Sequence, residues 1–154
     1  MFNKKLSDDK QKTELGGDGE QLVKSVHESK GHTVVLSEDK YDSVKDMTID
    51  GKTCEVKTQI PVITQNCFAV EDGRQYNKVN NADIAIFVEI PYNNKYGVNK
   101  TVNIYRLNER KGRKFRTADG RDMRLYPISK MTLIEKIDDE DICEHFANLS
   151  NSQV

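Results

Sequence analysis

Hydrophobic and polar residues alternate along the chain in two different periods, and the switches between them outline the fold. In "EQLVKSVHESK", from Glu20 to about Lys30, Leu22, Val23 and Val26 recur at helical spacing, with Asp18 or Gly19 at the N-cap position and Gly31 at the stop. "HTVVL" (His32 to Leu36) is a β-branched run and predicts a strand. "SVKDMTI" and "KTCEVKTQI" then flank Asp50-Gly51, the dipeptide suited to a type I′ turn, and predict an antiparallel hairpin. "TQNCFAV" predicts another strand, "EDGRQYNKVNNA" a turn with a short helix, and "DIAIFVEI" (Asp83 to Ile90) a strand buried on both faces. "TVNIYRL" follows as its neighbour after a "PYNNKYG" turn, "MTLIEKI" as a last strand or a short mixed element, and "DEDICEHFANL" as a closing helix. This order predicts an α/β or α+β fold with a mixed central sheet flanked by helices.

At 154 residues the chain reads as one domain, 1–154, large enough to bury a core. Its start, through "LGGDG", reads as a flexible arm over 1–17 ending in a glycine-rich break. No apolar run approaches the length of a membrane span and the N-terminus lacks an apolar secretory core, so the expected location is cytoplasmic. Cys54, Cys67 and Cys143 are odd in number and far apart, which predicts buried, inert thiols in place of a disulfide framework.

The net charge of −1 hides an uneven distribution. Residues 106–126 read as an inserted basic hairpin around Asp119-Gly120, carrying Arg110, Lys111, Arg113, Lys114 and Arg116, whereas "DDEDICE" near the C-terminus is acidic. A basic rim of this kind suits a phosphate backbone, and it equally suits a solvated loop. Phe115 and Tyr126, in or beside it, suit base stacking or the core.

The first hairpin carries the sharpest chemistry. With Asp50 and Gly51 as turn residues, Ile49 faces Lys52, Thr48 faces Thr53, Met47 faces Cys54 and Asp46 faces Glu55. One face then holds Met47, Ile49, Cys54 and Val56, while the other gathers Asp46, Glu55, Lys57 and Gln59. Opposed carboxylates destabilise a sheet unless a positive charge compensates them, and either Lys57 or a divalent cation would do so. Carboxylate oxygens suit Mg²⁺ or Mn²⁺.

Asp46, followed after eight residues by Glu55-Val56-Lys57, resembles the motif of the PD-(D/E)xK nuclease superfamily. The resemblance extends from about Gly17 to Ile90. A helix opening with Glu20 precedes the motif, as in the Holliday-junction-resolvase-like and restriction-endonuclease-like members, and the apolar strand "ADIAIFVEI" follows it. Lys45 stands where a proline often precedes the motif aspartate. The resemblance implies a restriction-endonuclease-like, four-stranded mixed sheet flanked by helices, with additional elements that differ between families. It implies Asp46 and Glu55 as metal-binding carboxylates, Lys57 as catalytic lysine, and a DNA endonuclease that hydrolyses phosphodiesters through a metal-activated water.

Under that resemblance Glu20 is an accessory acid of the metal cluster; otherwise it is a helix-start glutamate favoured by the helix dipole. Asp42 rivals Asp46, but the turn register would set it opposite Gln59. Gln59 either orients water or phosphate or makes a structural hydrogen bond. Gln75 and Lys78, with Tyr76, belong to a polar helix that faces DNA or solvent. His27, His32 and His145 show no ligand spacing. Two alternatives accompany the nuclease, namely a catalytically inactive nucleic-acid-binding or assembly protein that retains the fold, and a protein-interaction domain without a nucleic-acid partner. A homodimer would suit cleavage of both strands.

Overall fold

The computed structural model describes residues 4–38 and 46–151, with side chains over 14–38 and 46–150. Asp42 lies outside the described residues. Helix α1 spans Lys4–Ser29 and leads into β1 (Val34–Leu36), β2 (Met47–Ile49) and β3 (Lys52–Gln59). After β4 (Cys67–Glu71) come α2 (Arg74–Asn81) and β5 (Ile84–Glu89), then a small hairpin of β6 (Tyr92–Asn94) and β7 (Gly97–Asn99). The chain continues through β8 (Val102–Arg106), β9 (Arg113–Arg116), β10 (Asp122–Pro127) and β11 (Thr132–Ile137) to α3 (Glu140–Asn151).

The main sheet has six strands in the order β1-β2-β3-β5-β8-β11. Strands β3 and β5 run parallel, and the other neighbours antiparallel, so the sheet is mixed and the fold is α+β. The β3 to β5 connection contains β4 and α2, the kind of long crossover that a parallel pair requires. Every residue of β5 is buried, as its unbroken apolar run predicts.

The alternation of β3 and β5 separates two cores. Cys54, Val56, Ile84, Ile86 and Val88 face one side, where Val23 of α1 and Phe146 of α3 cover them. Ala85 and Phe87 face the other, against Phe68, Val79, Leu107 and Tyr126. On that second side the rings of Phe68 and Phe87 stack with centroids 4.8 Å apart. The three cysteines are free and buried. Among the described residues no helix is long and apolar enough to cross a membrane.

Three expectations need correction. The arm expected over 1–17 is helical from Lys4, and "LGGDG" lies inside α1, so neither Asp18 nor Gly19 is an N-cap. Gly19 is there for proximity, because a Cβ built on it would stand 1.8 Å from the Thr58 hydroxyl oxygen of β3. Second, "PYNNKYG" is a paired hairpin, β6 with β7, beyond a simple turn. Third, the basic segment 106–126 does form a hairpin, β9 with β10 around Asp119-Gly120, but it is not an appendage. Its return strand β10 is the middle strand of a second sheet, β4-β10-β9, and delivers the buried Leu125 and Tyr126 to the core.

Candidate active site

The β2 to β3 hairpin has the register that the Asp-Gly turn dictates, with Met47 opposite Cys54, Thr48 opposite Thr53 and Ile49 opposite Lys52. Asp50 and Gly51 both have positive φ, 51° and 81°, as a type I′ turn demands. Strand pairing ends at Met47, and Asp46 takes over where β2 stops. Its backbone N–H donates to Cys54 O at 2.9 Å, and its carboxylate Oδ2 accepts the Val56 N–H at 2.9 Å. Asp46 thus holds the residues on either side of Glu55, and the side chain replaces the strand partner that Val56 has lost.

Glu55 is almost wholly enclosed, with 1% of its surface exposed. Its Oε1 meets Lys57 Nζ at 3.2 Å and Lys78 Nζ at 3.6 Å. Its Oε2 is buried with no hydrogen-bond partner. Burial, reinforced by the negative charge of Asp46, raises the Glu55 pKa, and the two lysines oppose that rise. Gln75 of α2 accepts a short hydrogen bond from Lys57 Nζ, which fixes the ammonium beside Glu55.

The last charged member comes from α1. Because Gly19 allows the helix to lie against Thr58, the next residue, Glu20, reaches Asp46 and the two carboxyl groups share a hydrogen bond. Burial and the neighbouring charges of Asp46 and Glu55 lift the Glu20 pKa to about 7. A hydrogen bond between two carboxyl groups needs one proton, so a proton on Glu20 fits both observations. Three carboxyl groups and two lysines thus meet in one cluster, with Glu55 Oε2 left without a partner.

That donor set fits a hard divalent cation. All its atoms are carboxylate oxygens, and the unpartnered Glu55 Oε2 has an electron pair but no donor. Among the described residues no three Asp, Glu, His or Cys side chains are gathered closely enough to enclose an ion by themselves. What these carboxylates could hold is an ion such as Mg²⁺ or Mn²⁺ that takes one or two protein oxygens and keeps most of its own water.

Other expected site residues divide into those brought to the cluster and those diverted from it. Gln75 and Lys78, expected to face DNA or solvent, point into the cluster from α2. Lys78 is the contributor that reading the hairpin alone misses. Its signal was the i, i+3 spacing from Gln75, which sets both on one helix face. Gln59 is diverted, because its amide donates to Ala69 O and accepts from Ala69 N, both at 2.9 Å, and so ties β4 to β3. Of the two readings of Gln59, the structural one describes its contacts.

The basic residues divide in the same way. Arg110 turns inward and donates to Val79 O at 2.8 Å and Ala82 O at 2.6 Å, and also to Asp83 O, satisfying carbonyls at the end of α2. It caps that helix. Arg124 likewise lies over the Tyr76 ring at 4.2 Å and donates to Gly112 O. Lys111, Arg113, Lys114 and Arg116 remain on the surface, with Arg113 touching Gln65 at 3.2 Å and Arg116 facing Asp122 at 3.9 Å. Tyr126 is core, whereas Phe115 is half-buried.

Comparison with known protein families, curated proteins and solved structures returns no match to the chain.

Proposed function

We propose that the chain is a Mg²⁺- or Mn²⁺-dependent DNA endonuclease with a restriction-endonuclease-like core. The observation that carries the proposal is the gathering of Glu20, Asp46 and Glu55 with Lys57 and Lys78, in which both lysines meet Glu55 Oε1 and Oε2 is left without a partner. The four strands β1-β2-β3-β5, flanked by α1 and α2, agree with the mixed sheet that the PD-(D/E)xK resemblance implies.

In this reading Asp46 and Glu55 hold the cation and Glu20 supports them. Such an ion supplies a more acidic water and a positive charge for the phosphoryl oxygens. Lys57, held by Gln75 and Glu55, presents an ammonium that stabilises negative charge on the scissile phosphate. Lys78 offsets the charge of Glu55. The exposed Lys111, Arg113, Lys114 and Arg116 would grip the phosphate backbone, leaving the acidic cluster to the chemistry.

One observation favours a second reading, a nucleic-acid-binding protein without catalysis. Lys57 and Lys78 both lean on Glu55 Oε1 and neutralise much of the cluster without any cation. Mobility shift in Ca²⁺ combined with cleavage in Mg²⁺ separates the readings. A shift together with cutting supports the nuclease, a shift with no cutting in Mg²⁺ or Mn²⁺ supports the inactive binder, and no shift rejects both.

A further inference from the structure

A second charged site lies at the end of the main sheet where β3, β5 and β11 begin and β8 ends. It is a cavity of about 320 Å³, toward the small end of the roughly 300–1,000 Å³ range of ligand sites. Lys52, Arg106, Lys30, His27 and His32 line it, with Asp50 as the one carboxylate in its wall. The fold assembles these groups from separate parts of the chain. Arg106 stands between Ile86 of β5 and Thr132 of β11, Lys52 opens β3, and the C-terminal end of α1 supplies His27 with Lys30 just beyond it.

Asp50 offsets one of these positive charges but has no free oxygen for a further cation. Its Oδ1 accepts the Thr33 N–H at 2.9 Å and its Oδ2 meets His32 Nδ1 at 2.6 Å, so both oxygens are engaged. Lys30 is paired with Glu135 at 2.9 Å. Lys52 and Arg106 have no ion-pair partner among the described residues. His27 is held by Val23 O at 2.8 Å, and burial, with the nearby positive charges, lowers its pKa against the opposing effect of that hydrogen bond.

A recess lined by unpaired cations concentrates positive potential and favours an anion with several acceptor oxygens. A guanidinium matches two such oxygens at once, and an ammonium adds a point charge. A metal ion is the poorer fit even though the His27 and His32 rings lie 5.7 Å apart, because Lys30, Lys52 and Arg106 would repel it. We propose that this cavity binds a phosphoryl group, held chiefly by Lys52 and Arg106, as inorganic phosphate or as the terminal phosphate of an oligonucleotide. Lys52 lies on the face of β3 shared with Cys54 and Val56, opposite Glu55 and Lys57, so the site is separate from the acidic cluster and does not depend on its chemistry.

Calorimetric titration of the intact chain with inorganic phosphate, in the presence of a chelator, tests this. The double variant Lys52→Gln/Arg106→Gln is expected to bind phosphate at least about tenfold more weakly, whereas Lys95→Gln/Lys136→Gln, with the same change in net charge, binds as the wild type does. Both altered pairs are exposed, and circular dichroism would verify their folding. No heat at millimolar phosphate, or equal weakening by the two double variants, would overturn the proposal. Matched 5′-phosphorylated and 5′-hydroxyl oligonucleotides, also in chelator, then distinguish the source. Tighter binding of the phosphorylated strand, lost on Lys52→Gln/Arg106→Gln, assigns the site to nucleic-acid ends, and equal binding assigns it to free phosphate.

Discussion

Gly19 of α1 and Thr58 of β3 are in such close contact that a single methyl group at Gly19 would fall 1.8 Å from the Thr58 hydroxyl oxygen. This contact sets the height of the helix over the sheet and carries Glu20 to Asp46. A glycine inside a helix ordinarily costs about 1 kcal/mol relative to alanine. Here the close approach outweighs that cost.

Gly19→Ala is therefore expected to destabilise, against the usual sign for a helical glycine, because overpacking of about 1–3 kcal/mol exceeds the propensity gain. Thr58→Ala alone should be nearly neutral, since the buried Thr58 Oγ1 has no hydrogen-bond partner to lose. In the double variant part of the loss is recovered; the remaining β-carbon of residue 58 would still be 2.9 Å from the new methyl. Denaturant unfolding of the three variants measures this. A Gly19→Ala protein more stable than wild type would show that the helix can lift away freely.

The pH dependence of stability follows from Glu20. Burial first, then the charges of Asp46 and Glu55, raise its folded pKa to about 7 from an ordinary value of 4.5. Between those values the folded state binds more protons than the unfolded state, so this contribution is fully present below the unfolded pKa and is lost as pH rises through about 7. In chelator, the wild-type melting temperature is expected to fall between pH 5 and 8 more steeply than that of Glu20→Gln, and the variant should be the more stable at pH 8. Mg²⁺ should reduce the difference by replacing the proton as the compensating charge. Parallel melting curves for the two proteins across that range would contradict this protonation of Glu20.

Arg110 and Lys114 should fail in different assays although they lie in one basic stretch. Arg110→Ala leaves carbonyls at the end of α2 without donors, and a loss of about 1–3 kcal/mol is expected in unfolding experiments. Lys114→Gln/Arg116→Gln should leave stability nearly unchanged while weakening DNA binding and reducing its salt dependence by up to about two counterions. Loss of salt dependence in neither variant would remove this surface from the nucleic-acid interface.

These contrasts follow the division between what was legible in the sequence and what was not. The hairpin register was legible because Asp50-Gly51 fixes it locally, and β5 because its apolar run is uninterrupted. The helix through Gly16, Gly17 and Gly19 was not, since local propensity reads them as a break and only the distant Thr58 explains Gly19. Charge alone likewise did not distinguish the inward Arg110 and Arg124 from the outward Lys111 and Lys114, because a guanidinium serves buried carbonyls and aromatic rings as well as solvent. Gln59 turned out to be a clasp for β4, a pairing that depends on where a strand ten residues later returns.

If Asp46, Glu55 and Lys57 form a catalytic centre, DNA cleavage depends on each of them. Wild type, Glu55→Ala and Lys57→Ala would be incubated with plasmid, linear, single-stranded and four-way-junction DNA in Mg²⁺ or Mn²⁺, with folding verified by circular dichroism. Wild type is expected to cut at least one substrate, and each variant to cut it at least about a hundredfold more slowly. Wild type that cuts none of them, or folded variants that cut as fast as wild type, would contradict this catalytic assignment.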